Sequence, residues 1–156
     1  MNNLTIREAN IEDAKLLYEL SNQEDVRANS INQKQIDWND HLAWLNKKLN
    51  DSNYKIFIYF DRNNYVGQVK FELEKKQATI SISITREMRG RGYSQYMLSK
   101  AIKELLAANN SIANIIALIK PVNTASINAF KKVGFAYSGE VKIKNSIFHK
   151  YLLRNE

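Results

Sequence analysis

Between Ala78 and Ser94 the chain reads ATISISITREMRGRGYS, and few architectures accommodate such a stretch. Ala78, Ile80, Ile82 and Ile84 alternate with Thr79, Ser81, Ser83 and Thr85, which predicts a strand with one apolar and one hydroxylated face. Arg89-Gly90-Arg91-Gly92-Tyr93-Ser94 follows. A helix comes next, with Met97, Ala101 and Leu105 beside Leu98, Ile102 and Leu106 as its apolar stripe. A glycine-rich loop feeding a helix start aims several backbone N–H groups at one point, where the helix dipole also favours negative charge. The glycines permit close approach and the arginines add positive charge, so the loop suits a phosphate or pyrophosphate. The spacing is neither G-x-x-x-x-G-K-[ST] nor G-x-G-x-x-G, which excludes two nucleotide-binding loops.

The 156 residues suit a single domain, 1–156, able to bury its own core. Without cysteine there is no disulfide, no thiolate metal site and no cysteine nucleophile, and no metal is expected. The start, MNNLTIREAN, lacks the basic and apolar runs of a signal peptide, and the greasy run Ile115–Ile119 is too short to span a bilayer. A cytoplasmic location is expected. The charge is lopsided: residues 1–78 hold eleven Lys/Arg and twelve Asp/Glu, residues 79–156 twelve and four. The basic excess lies in the half with the anion loop, which implies an acidic partner, a polyphosphate cofactor or nucleic acid.

In chain order, Leu4–Arg7 can begin a strand, and Asn10 or Glu12 opens a helix with Leu16, Leu17 and Leu20 inward. Ser21–Ile36 has no clean period and reads as a long loop or broken helix, with a ligand-facing polar cluster of Asp25, Arg27, Asn29 and Ser30. Asp37 is an N-cap for a helix whose stripe is Trp38, Leu42, Leu45 and Leu49, with His41 and Trp44 on the neighbouring stripe. Tyr54–Phe60 and Tyr65–Leu73 form a hairpin about Asp61–Asn64, and Glu74–Gln77 turns into the central strand. After the helix at 94–109, strand Ala113–Ile119 should lie parallel to the central strand through a right-handed crossover. Asn123 or Thr124 caps a short helix with Ile127, Phe130 and Val133 inward and Gly134 at its end. Phe135–Lys142 and Ser146–Leu153 close the chain as a hairpin around Lys144-Asn145.

This order, with the Arg89–Ser94 loop after the fourth strand, resembles the GNAT-type acyl-CoA N-acyltransferases over nearly the whole chain. A second segment, Asn123–Phe135, is similar to that family's N-x-x-[SA]-x-x-x-[YF]-x-x-x-G-F pattern through Asn123, Ser126, Phe130, Gly134 and Phe135. Ser94 stands where the family usually has Gly or Ala. The resemblance implies an α/β (α+β) three-layer fold. A mostly antiparallel sheet of about seven strands has one parallel pair splayed at the cofactor cleft, with helices on both faces. It implies acetyl-CoA as co-substrate, with Ile82, Ser83 and Ile84 beside the pantetheine arm and Arg89, Gly90, Arg91, Gly92, Tyr93 and Ser94 around the pyrophosphate. Asn123 and Phe130 would contact the cofactor, and Lys131 or Lys132 its outer phosphate.

Acyl transfer to an amine needs a neutral amine, a stabilised oxyanion and a proton for the leaving thiolate. With no cysteine, direct attack in a ternary complex is the natural route, with a backbone N–H near Ile84 as oxyanion donor by resemblance. The family's usual acid is a tyrosine at the position of Phe130, so Ser126 is the candidate acid here; the alternative is that Ser126 only satisfies its helix's first turn. His41, Glu72 and Glu140 are candidate bases, with His41 and Glu72 preferred. Arg27, Ser30, His41 and Trp44 are the candidate acceptor residues, Arg27 to pair with a diphosphate and Trp44 to stack on a ring. This region is similar to the amino-sugar branch, PseH-type, acting on the 4-amino group of a UDP-linked amino sugar. An N-terminal protein acetyltransferase of the RimJ/RimL kind is the alternative, and a non-catalytic CoA-sensing or nucleic-acid-binding module a second. The expected partner is a small-molecule amine, without membrane or nucleic acid, for a monomer or homodimer.

Overall fold

The computed structural model describes residues 4–156. Its seven strands are β1 (Leu4–Glu8), β2 (Tyr54–Asp61), β3 (Asn64–Glu74), β4 (Gln77–Ile84), β5 (Asn114–Ile119), β6 (Ala136–Ile143) and β7 (Ser146–Arg154). Its helices are α1 (Ala14–Ser21), α2 (Glu24–Ala28), α3 (Trp38–Leu49), α4 (Tyr93–Ala108) and α5 (Thr124–Lys132), with short 3-10 turns at Ile11–Asp13 and Arg86–Met88. The strands form one sheet in the order β1-β2-β3-β4-β5-β7-β6, antiparallel except for β4 beside β5. This is the mixed three-layer architecture expected from the sequence.

Strand alternation builds the layers. On β2, Phe57 and Tyr59 join a large core with Val69 and Phe71 of β3 and Met97, Leu98, Ala101 and Leu105 of α4. The intervening Ile56 and Ile58 point to the opposite face and meet Ala14, Leu17 and Leu45 of α1 and α3. Each large side chain so buried contributes roughly 1.5–3 kcal/mol. The buried Tyr59 hydroxyl donates to the Met97 carbonyl at 2.8 Å, so that phenol enters the core with its polar group satisfied.

The turns follow their residues. Lys144 and Asn145 both take positive φ, 47° and 60°, as a type I′ hairpin turn requires. After α5, Gly134 at φ 105° lets its N–H reach the Lys131 carbonyl and that of Phe135 the Phe130 carbonyl, a Schellman ending.

One local reading resolves to its broken-helix form and one shifts. The segment 21–36 carries the short helix α2, closed by Arg27 and Ser30 contacts that have no periodic signature. The buried line of α3 runs through His41 and Leu45, with Trp38 at its 38% exposed margin, so the stripe is turned towards His41. Among the described residues no helix is long and apolar enough to cross a membrane.

Candidate active site

The β4–β5 pairing covers only Gln77↔Asn114, Ala78↔Ile115 and Thr79↔Ile116. Beyond Thr79 the strands part, and β4 continues to Ile84 held by β3 alone. Ser83 faces β3: its carbonyl oxygen lies against Gly67 so closely that a Cβ there would overlap it. Backbone polar groups alternate along a strand, so those of Ile82 and Ile84 point the other way, into the gap. The Ile84 carbonyl accepts from Arg89 Nε at 2.9 Å, which leaves the Ile82 edge without a strand partner. The gap opens into a cleft of about 870 Å³ lined by β4, β5, the glycine loop and α5 on one side and by α2, α3 and β3 on the other.

At one end of the cleft Gly90 and Gly92 adopt φ 73° and 81°, and Gly92 is the N-cap residue of α4 with no side chain capping that end. The first N–H groups of a helix have no partner within it, so this sixteen-residue helix presents open donors to the cleft. Gly90, Gly92, Tyr93 and Ser94 line the cleft; Arg91 is exposed and lies off its lining. The Tyr93 phenol turns away from it and donates to Asp61. Arg89 departs from expectation. Its guanidinium is engaged by the Asp25 carboxylate, by Gln23 Oε1 at 3.0 Å and by the Ile84 carbonyl, so its charge is committed to α2 rather than held out to a phosphate. Burial works against the ionised Asp25, but Arg89 prevails and holds that carboxyl below its ordinary range. Lys131 and Lys132 are exposed on α5, off the cleft lining.

On α5, Asn123 caps the helix by accepting from the Ser126 N–H at 3.4 Å. Asn123 and Ser126 both line the cleft, and the Ser126 hydroxyl has no hydrogen-bond partner among the described residues. Phe130 borders the cleft from within the core, 2% exposed and edge-on to Phe135 at 5.0 Å between ring centres.

The acceptor side differs more from the sequence reading. Arg27 donates to the carbonyls of Ser21 (2.7 Å), Asn32 (2.8 Å) and Lys34 (3.4 Å) and to Ser30 Oγ (3.2 Å). It organises its own loop, and the diphosphate pairing expected of it would need donors it has already spent. Ser30 in turn donates to the Val26 carbonyl at 2.6 Å. His41 is 2% exposed and off the cleft lining: Nε2 donates to the Ala14 carbonyl at 2.9 Å, and Tyr18, Trp38 and Trp44 surround the ring. It is a core residue rather than a base or an acceptor contact. Glu140 pairs with His149 at 3.7 Å on the β6–β7 hairpin, away from the cleft. Trp44 and Glu72 do line it, together with Tyr54, Lys70 and Ser81.

Burial lowers the His41 pKa from 6.5, so the native state keeps the ring neutral while the unfolded chain takes up a proton below about pH 6.5. Stability is therefore lost as pH falls through that window. In His41→Phe this slope is expected to vanish, measurable by urea denaturation of the native and variant proteins at matched pH.

Sequence reasoning missed Lys70, Gly67 and the Asp25–Arg89 clasp. Lys70 and Gln68 share a strand face with Glu72 at a spacing of two, a polar face opposite Val69 and Phe71 that was open to reading. The clasp joins residues 64 positions apart and had no local signal.

A mixed sheet that parts between its one parallel pair, beside a helix start with open amides, is the fold of the N-acyltransferases. The acetyltransferase (GNAT) domain model matches residues 3–136, and the chain belongs to that family. A curated relative, YwnH of Bacillus subtilis (strain 168), bears the name of a phosphinothricin acetyltransferase and is 30% identical over 89 residues. That match covers 57% of this chain, which spans about half (52%) of the relative's length. Among solved structures, spermidine N-acetyltransferase from Vibrio cholerae in complex with CoA and spermine superposes with a TM-score of 0.88 at 16% identity, covering 99% of this chain and 96% of that one. YncA from Salmonella typhimurium with acetyl-CoA gives 0.80 at 22% identity over 98% and 94%.

Proposed function

We propose that this chain is an acetyl-CoA-dependent N-acetyltransferase that acetylates the primary amine of a small molecule by direct attack with both substrates bound. The observation that carries the reading is the cleft between β4 and β5, with the unpaired Ile82 edge along it and the Gly90–Ser94 amides at its end. These features fit an extended thioester carrier: an amide chain can add to a free strand edge, and a diphosphate suits amides at a helix start. When bound, acetyl-CoA supplies the activated acetyl group. The chain's own residues do the rest. The Ile82 edge orients, and the α4 amides hold negative charge. Asn123, its oxygen engaged in capping, keeps its amide donors for the cleft. Ser126, unpartnered beside Asn123, is our candidate acid, and Glu72, which also lines the cleft, is our candidate base.

Ser126→Ala is expected to lower kcat by roughly 100-fold or more, the usual worth of one positioned proton donor, with acetyl-CoA affinity unchanged. Turnover equal to the native enzyme would remove Ser126 from the chemistry.

For the acceptor, the 4-amino group of a UDP-linked amino sugar is the first candidate. It is supported by Trp44, an aromatic side chain lining the cleft, and by the hydroxyl side chains of Thr79, Ser81 and Ser83, which match a polyol. Mass spectrometry of products from acetyl-CoA with UDP-amino sugars, free amino acids, polyamines and N-terminal peptides tests it. Acetylation of N-terminal peptides alone would establish the protein-modifying alternative.

A further inference from the structure

The charged side chains that line the cleft are Asp25, Arg27, Lys70, Glu72 and Arg89. Asp25 and Arg89 neutralise each other. Arg27 is paired with carbonyl dipoles and no carboxylate, so its full charge remains. Glu72 and Lys70 form no ion pair with each other or with any described residue, although they are two apart on one face of β3. The Lys70 side chain rises from the sheet between Ile56 and Ser81, its cross-strand neighbours, and its Nζ lies 5.4 Å from the centre of the Trp44 ring. Its ammonium has no hydrogen-bond acceptor among the described residues, and it is not sealed: no fully enclosed side-chain nitrogen or oxygen lacks a partner. The net charge on this wall is positive.

A polyamine needs the opposite. Two or more ammonium groups entering this space would meet one unpaired carboxylate and two cations. An acceptor with a negative group of its own, a carboxylate or a phosphate, would instead supply what Lys70 lacks.

We propose that the acceptor amine belongs to a molecule with an anionic group, which Lys70 binds beside Trp44 on the β3 floor of the cleft. This rests on the acetyltransferase reading above and narrows its acceptor. The fit is charge-assisted: an ammonium already stripped of part of its water, held over an aromatic face, gains most from a fixed anion. Burial, then the nearby Arg27, bring the Lys70 pKa down from 10.5 to about 8, as expected of a cation with nothing to balance it. An amino acid would present a carboxylate here, and an amino-sugar phosphate or nucleotide sugar a phosphate oxygen; the chemistry at Lys70 is shared.

The test compares the native enzyme with Lys70→Met and Lys70→Arg. Acetyl-CoA binding is measured by calorimetry, and initial rates with glutamate, glucosamine 6-phosphate, a UDP-amino sugar and spermidine. Lys70→Met should raise KM for the anionic acceptors about tenfold or more, the worth of one charge-assisted hydrogen bond, with kcat little changed. Lys70→Arg should restore most of the loss, and acetyl-CoA affinity should be the same in all three. The carboxylate and phosphate arms distinguish the two sources. In parallel, acetate and orthophosphate are titrated into native protein labelled at lysine Cε. A saturable shift of the resonance that Lys70→Met removes supports the assignment whether or not any panel member is turned over. The proposal is overturned by spermidine as the preferred acceptor, by a Lys70→Met loss confined to kcat, or by the absence of a saturable shift with both anions. Failure of acetyl-CoA to bind the native protein overturns the acetyltransferase reading and this one with it; normal binding with any of the other negative results overturns this one alone.

Discussion

Gly92→Val is expected to reduce acetyl-CoA affinity by about 100-fold or more, which corresponds to about 2.7 kcal/mol of binding free energy. Gly92 sits at φ 81° and ψ 11°, the left-handed region, immediately before α4. An L-residue pays of order 1–3 kcal/mol to stay there, and a β-branched one is least able to. The loop would therefore leave this conformation. The amides of Tyr93 and Ser94 would no longer converge, and a branched side chain would stand at the helix mouth where an anion has to approach. Because Gly92 is exposed, the fold should survive, with a melting temperature within a few degrees of native. Calorimetry with acetyl-CoA measures the loss, and native affinity in the valine variant would refute the assignment of this loop to the diphosphate.

The second large effect is at Gly67→Ala, and there the fold itself should suffer. A methyl at Gly67 would overlap the Ser83 carbonyl oxygen and stand 3.0 Å from the Ile84 Cα, both backbone atoms. No rotamer relieves a clash with main chain, so β3 and β4 must separate locally. Gly67 lies opposite Tyr59 in β2, beside the register shift between Tyr59 and Phe60, where the sheet is already bent. A cost of about 3 kcal/mol would lower the melting temperature by roughly 6–12 °C in a chain of this size. Activity should fall more than stability, because the displaced residues, Ser83 and Ile84, border the cleft. Thermal denaturation together with kcat at a temperature where the variant is folded checks both halves. Native stability in Gly67→Ala would show that the strands yield more easily than this packing allows.

How much of this was legible beforehand depends on the range of the signal. The alternation from Ala78 to Thr85, the hairpin turns and the Asn123 and Gly134 helix ends are encoded within a few residues, and they led to the right sheet with its one parallel pair. The glycine loop was likewise visible, because positive φ and open amides are properties of the local chain. Arginines and histidines were misjudged for one physical reason. Their residue type states what a side chain can do, while its partners decide what remains to be done. The Arg27 donors are taken by carbonyls of its own loop, Arg89 is bound by a carboxylate 64 positions earlier in the chain, and His41 is enclosed by three aromatic rings. Lys70 was passed over altogether. Nothing within the hairpin strand marks it beyond its polar face, and the placement of Trp44 from α3 above it shows that its charge is drawn out of water.

The short contact between β4 and β5 has a mechanical consequence. Three residue pairs join a four-stranded slab, β1 to β4, to a three-stranded one, β5, β7 and β6, and the remaining ties across that line are helices and loops. The two slabs share one apolar core, in which Val69 and Phe71 belong to the same cluster as Ile115, Ala117 and Tyr151. The sheet can therefore part at its middle without losing its packing, and the opening is held apart by side chains rather than by main-chain pairing.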